Sequence, residues 1–212
     1  MLRFDHIAIG CATLEQGAAY LADKTGLTVP VGGEHPLMGT HNLVMSLGVD
    51  TFFEVISINP SAPKPSHPRW FGLDGATFTA PRPHTWILNS DNLDEDLAKA
   101  KSLGVDLGTP TTQTRSDMTW RFAVRDDGAI PLDGAAPMIM EWPEMPAHPA
   151  SKMTDLGARI KSIALRSPHA AILNNLLNTL GDGNMPIEIT DSSDTKLTMT
   201  LNLNDGRDVV LN

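Results

Sequence analysis

One cysteine, Cys11, stands alone among 212 residues, so no internal disulfide can form and nothing demands an oxidising compartment. No apolar run approaches the roughly 18 residues of a membrane span. The N-terminus passes directly into strand-like sequence, without a basic-then-apolar leader. Positive charge is scarce: 16 Lys and Arg stand against 25 Asp and Glu, a formal net charge of −9. Such a surface repels phosphates and argues against nucleic acid. Also missing are Gly-x-Ser-x-Gly, Gly-x-Gly-x-x-Gly, a phosphate-binding Gly-rich loop and Cys-x-x-Cys. A hydrolase triad, a nucleotide-driven enzyme or a zinc finger would need those signals. The expectation is a cytoplasmic protein that meets a small molecule, with neither nucleic acid nor membrane as partner.

What is present suits a packed core: apolar residues make up 41% and charged residues 19%. Three segments repeat one script of strand, helix N-cap, helix and glycine. The first runs His6-Ile7-Ala8-Ile9, Thr13, a helix over about 14–24, and Gly26. The second runs Thr85-Trp86-Ile87-Leu88, Asp91, a helix to about Leu103, and Gly104. The third runs Ser162-Ile163-Ala164-Leu165, Ser167-Pro168, a helix to Leu180, and Gly181. From N-cap to glycine is 13, 13 and 14 residues. Thr13 with Gln16 forms a capping box, Pro168 suits the first helical position, and the glycines suit helix ends. Short strands follow each helix, so each segment reads β-α-β-β-β. The predicted modules are 1–58, 84–145 and 156–212, with a Pro- and Gly-rich crossover loop over 59–83. Within that loop Trp70-Phe71 either caps a pocket or packs on the surface.

Three strand-like segments carry metal-capable side chains among apolar neighbours: Phe4-Asp5-His6-Ile7, Phe52-Phe53-Glu54-Val55 and Ile139-Met140-Glu141-Trp142. Buried imidazole and carboxylate are costly unless they bind something. Strand alternation predicts that His6 shares a face with Phe4 and Ala8, Glu54 with Phe52 and Ile56, and Glu141 with Ile139. One imidazole and two carboxylates suit a borderline divalent ion such as Zn, Ni, Mn, Fe or Co. Without metal, the trio would hydrogen-bond among itself. His41 and Asn42 are placed at a pocket mouth, and Arg115 is placed to meet an anionic group. Trp120 shares a face with Phe122, as pocket floor or as core. His35, His67 and His169 read as surface, and His148 as loop.

The order and spacing of Phe4-Asp5-His6-Ile7-Ala8-Ile9, Gly32-Gly33-Glu34-His35-Pro36, Phe53-Glu54-Val55-Ile56, Trp120-Arg121-Phe122 and Ile139-Met140-Glu141-Trp142 resemble the vicinal oxygen chelate superfamily, and more narrowly its glyoxalase-like members. The resemblance covers about residues 3–145 and implies an α+β fold. Two β-α-β-β-β modules pair so that curled mixed sheets form one cup, with a third half-module added. It implies four inward ligand slots, of which His6, Glu54 and Glu141 fill the first, second and fourth. The third departs from the pattern. His6 lies eight residues before Leu14, and eight residues before Leu93 is Thr85, not His84. Only a bulge would turn His84 inward. The implied activities are a metal-dependent lyase, isomerase or oxygenase acting on a small oxygenated molecule, with Glu141 and Glu54 as catalytic carboxylates. The alternative is a metal-free cup that sequesters a ligand. A lone third sheet also points to a homodimer.

Overall fold

The computed structural model describes residues 1–115 and 118–212. Strand β1 (Leu2–Gly10), helix α1 (Leu14–Thr25) and strands β2 (Val31–His35), β3 (Thr40–Ser46) and β4 (Phe52–Ile58) form the first module. Strand β5 (Arg82–Ser90), helix α2 (Leu93–Ser102) and strands β6 (Thr109–Arg115), β7 (Met118–Val124) and β8 (Met138–Glu141) form the second. Their strands make one eight-stranded sheet in the order β2-β3-β4-β1-β5-β8-β7-β6. Within each module the last strand lies parallel to the first, and the modules join where β1 and β5 run antiparallel. The edge strands β2 and β6 approach each other, curling the sheet into a nearly closed cup.

On its central strands both faces of this sheet are buried. The outer face packs Ile7, Ile9, Phe53, Val55, Trp86, Leu88 and Ile139 against Leu14 and Leu21 of α1 and Leu93 and Leu97 of α2. The cup face holds Ala8, Ile56, Ile87, Trp120, Phe122, Met138 and Met140. Period-two alternation sorts these residues cleanly except on the central strands. There β1 and β5 each carry one extra residue. Phe4 pairs with Leu88 and His6 with Ile87, leaving Asp5 unpaired; Ala8 pairs with Thr85 and Ile9 with Pro83, leaving His84 unpaired. The first bulge reverses the facing of β1. Phe4 therefore lies under the helices, and the expected shared face of Phe4 and His6 does not form.

The caps follow local chemistry. Thr13 Oγ1 accepts the Gln16 N–H at 3.3 Å, and Gly26 closes α1 in the left-handed region at φ 76°. At α2 the cap is Asn92, which accepts from the Glu95 N–H, because Asp91 is taken by an ion pair with Arg3. Gly181 ends the third helix in extended geometry, at φ −74°. The crossover loop turns inward, and its Trp70 and Phe71 are buried in the cup beside Phe122.

The third segment comprises β9 (Arg159–Ser167), α3 (Ala170–Leu180), β10 (Ile187–Asp191), β11 (Lys196–Asn202) and β12 (Asp208–Leu211). Its sheet order is β10-β9-β11-β12, so the strand after the helix, not the last strand, lies parallel to the first. Its apolar face is covered within the chain. Leu165, Leu173, Leu176 and Met199 belong to the same core as Leu2, Trp86 and Leu93. The Leu2 carbonyl also accepts the Asp182 N–H at 3.0 Å. The expected need for a second copy to cover that face therefore does not arise. No helix among the described residues is long and apolar enough to cross a membrane.

Candidate functional site

A chain of polar side chains, hydrogen-bonded at every step but the Glu54–His6 contact, crosses the cup wall between β2, β3, β4 and β1. It begins at the Gly33 N–H, which donates to Asn42 Oδ1 at 3.0 Å. That bond fixes which way the amide points, so Asn42 Nδ2 donates to Glu54 Oε1 at 2.6 Å. A Cβ on Gly32 would stand 2.2 Å from Asn42 Oδ1, so the glycine leaves room for the amide. Glu54 Oε2 faces His6 Nε2 at 3.7 Å. The other ring nitrogen, His6 Nδ1, donates to Asp5 Oδ1 at 2.6 Å. Asp5 Oδ2 accepts from Trp142 Nε1 at 2.8 Å and from His148 Nε2 at 2.9 Å. His148 Nδ1 accepts the Ala150 N–H, which leaves its Nε2 to carry the proton towards Asp5. The bulge at Asp5 makes this possible, because an unpaired residue can turn its side chain alongside its neighbour's ring.

Burial sets the protonation states. Asp5, His6, Asn42 and Glu54 are all buried. Burial pushes Asp5 upward, but the bonds and charges of His148 and His6 more than offset it and hold the carboxyl at about 2. Glu54 has weaker compensation. Burial raises its pKa against the opposing pull of His6 and of the Asn42 hydrogen bond. One carboxylate is therefore kept ionised and the other is pushed towards its acid form. His35, buried and near the Arg115 charge, is lowered to about 3 and stays neutral.

The chamber in front of His6 and Glu54 holds about 40 Å³. Its walls include Phe52, Trp70, Phe71, Trp120, Phe122 and Met140. The His6 ring stacks on Phe52 with centroids 4.0 Å apart. Trp70 meets His35 edge-on at 5.0 Å, which makes His35 part of the chamber wall and not the expected surface residue. Phe71 is held at φ 58°, a strained conformation for a bulky residue, with its carbonyl receiving His84 Nε2 at 2.7 Å.

The expected residues separate into two groups. His6, Glu54, Asn42, Arg115 and Trp120 converge on the chamber. Glu141 does not. Its Oε2 accepts from Arg121 Nη1 at 2.8 Å and its Oε1 from the Leu93 N–H at 3.2 Å, so it caps α2 on the outer face. Alternation had grouped Glu141 correctly with Ile139, but Ile139 packs under the helices. His41 also faces outward, opposite Asn42 on its strand, and its Nε2 is enclosed with no hydrogen-bond partner among the described residues. The bulge at His84 does turn that ring, but towards Phe71 and away from His6. Asp5 and His148 were not among the expected site residues. The only sequence signal was the Asp5-His6 adjacency.

The metal that the resemblance implies can be weighed against these residues. Ala8 pairs with Glu54, and Ile87, two residues after Thr85, pairs with Met138. By that symmetry the four slots hold His6, Glu54, Thr85 and Met138. Thr85 is fully buried, with its hydroxyl unpartnered among the described residues. A divalent ion wants at least three N, O or S donors from the protein, and methionine is a ligand for soft ions. Among the described residues no three His, Cys, Asp or Glu side chains form such a group. The donor set does not fit a divalent metal.

Residues 4–181 match the family model of the Glyoxalase-like domain, and the chain belongs to that family, within the vicinal oxygen chelate superfamily. No curated protein matches the sequence. Among solved structures, a hypothetical protein from Staphylococcus aureus is similar over 92% of this chain and 88% of its own, with 15% identity and a TM-score of 0.63. Methylmalonyl-CoA epimerase from Mycobacterium tuberculosis is similar over 68% of this chain and 88% of its own, with 16% identity and a TM-score of 0.45. A Streptomyces coelicolor methylmalonyl-CoA epimerase in complex with 2-nitronate-propionyl-CoA is similar over 69% and 96%, with 14% identity and a TM-score of 0.42.

Proposed function

We propose that this glyoxalase-like protein is an isomerase-type enzyme that moves a proton on a carbon beside a carbonyl, using its own side chains. The observation that carries the reading is the buried relay from Asp5 through His6 to Glu54 and Asn42. Asp5 holds the His6 Nδ1–H, so Nε2 presents its lone pair to the chamber. His6 Nε2 takes the proton from carbon. The Glu54 carboxyl, favoured in its acid form by burial, gives its proton to the carbonyl oxygen. The products of the step are a neutral enol, an imidazolium and a carboxylate, so charge and protons balance. Returning a proton to either face or to the neighbouring carbon gives the isomer. The aromatic walls exclude water while the enol exists.

The test is exchange of carbon-bound hydrogen for deuterium in D2O, followed by NMR over a panel of hydroxyketones and 2-substituted carbonyl compounds. Chelated protein should catalyse exchange as well as untreated protein. Glu54→Gln or His6→Gln should lower the rate on the order of a hundredfold or more, the usual worth of a positioned acid or base, with far-UV circular dichroism unchanged. Exchange that appears only after a divalent metal is added would overturn the reading. The second reading, a cup that only sequesters its guest, is favoured by the methionines at Met138 and Met140. A compound that binds tightly but never exchanges would support it.

A further inference from the structure

The chamber is too small for a whole substrate. At about 40 Å³, where roughly 10–15 Å³ suffices for one water, it holds about three waters or a head of a few heavy atoms. It continues past Val44, Arg115 and Met153 into a groove of about 450 Å³, the size range of small-molecule sites. The groove walls include Val31, Met118, Met145, Ala147 and Pro149. Methionines give an adaptable apolar lining. Val31 is 80% exposed, the most exposed large apolar side chain among the described residues. The charge there runs against that of the molecule. The whole chain carries −9, yet the groove's described lining contains Arg115 and Lys152 and neither Asp nor Glu. Arg115 sits at the junction by construction. It crosses the edge of β2 at Gly33, where a Cβ would stand 3.0 Å from its Cδ, and leans on the Trp120 ring at 5.9 Å.

We infer that the substrate is an amphiphilic organic anion: a compact carbonyl head for the chamber, an apolar body for the groove, and an anionic group met by Arg115 and Lys152. The role of the head rests on the proton-transfer reading above; the groove's selectivity does not. Carboxylate and phosphate share the chemistry that this pair of cations recognises. The body displaces water from the groove, and each group alone binds weakly.

Calorimetric titration separates these contributions, with octanoate, octyl phosphate, octanol and acetate as probes. Octanoate or octyl phosphate should bind at least tenfold more tightly than octanol or acetate, and the tighter of the two names the anion. Arg115→Gln with Lys152→Gln should weaken the anion tenfold or more and leave octanol unchanged. Val31→Asp should weaken it similarly, whereas Val49→Asp, exposed on the turn before β4, should have no effect. Equal binding of octanol and octanoate, or anion binding indifferent to both the double variant and Val31→Asp, would sink the inference. Glu54→Gln keeps the two ideas apart. If it loses exchange but still binds octanoate, both stand; if exchange is metal-driven while octanoate still selects Arg115, only the proton-transfer reading fails.

Discussion

Asp5 carries more structure than its position suggests. It is fully buried, ionised, and shared by three donors on two distant segments: His6 from β1, and Trp142 and His148 from beyond β8. Removing one member of a buried charged network leaves the others unpaired, at about 3–5 kcal/mol. Asp5→Asn should therefore destabilise the protein by roughly 3 kcal/mol in urea unfolding; a change below about 1 kcal/mol would show that the network is not what holds these segments. The same carboxyl sets an acid limit. Its folded pKa of about 2 lies below the ordinary 3.8, so its contribution is fully present above 3.8 and is lost as pH falls through about 2. Each pKa unit is worth about 1.4 kcal/mol, so roughly 2 kcal/mol should vanish across that window in wild type and not in Asp5→Asn.

At the level of elements, the segment after β8 behaves as a strap. Residues 143–149 are proline-rich, and the short helical turn Pro149–Lys152 that follows begins at His148. The strap is held to the cup through the Asp5 bonds and through the Ser46 N–H, which donates to the Thr154 carbonyl at 3.0 Å. His148→Ala removes one hold without emptying the core. Its expected result is faster limited proteolysis within 143–152 and a smaller loss of global stability than Asp5→Asn, because Asp5 keeps the His6 and Trp142 donors; an unchanged cleavage rate would mean that Trp142 and Ser46 suffice. Elements also show how far sequence reasoning reached. The strand, cap, helix and glycine script located the helices because capping and periodicity are local. It placed Glu141 wrongly because β8 is buried on both faces, and apolar neighbours then mark no side. It joined Phe4 to His6 because a bulge leaves no mark in composition.

For the molecule as a whole, the third sheet and the cup share one core. All four tryptophans, Trp70, Trp86, Trp120 and Trp142, lie in the first two modules or the loop that joins them, while Leu173 sits on α3. Leu173 is fully buried among residues of both parts. Leu173→Ala should cost about 2–5 kcal/mol, as core truncations do. If the core is common, tryptophan fluorescence should report that loss in a single shifted transition. A fluorescence midpoint that stays put would show that the third segment unfolds independently.

The α+β class, the three helices, the cup and the convergence of His6 with Glu54 were legible in the sequence, because hydrophobic period, capping and turn chemistry act over a few residues. Tertiary structure alone decided the rest. Two compensating bulges turned Asp5 towards His6 and His84 away from the chamber. Pairing across β7 and β8 bound Glu141 to Arg121 on the outer face, where it caps α2. The chain's return after β8 carried His148 back across more than a hundred residues to Asp5. Such contacts depend on register and on which side of a doubly buried sheet a strand presents, and neither is written in the local sequence.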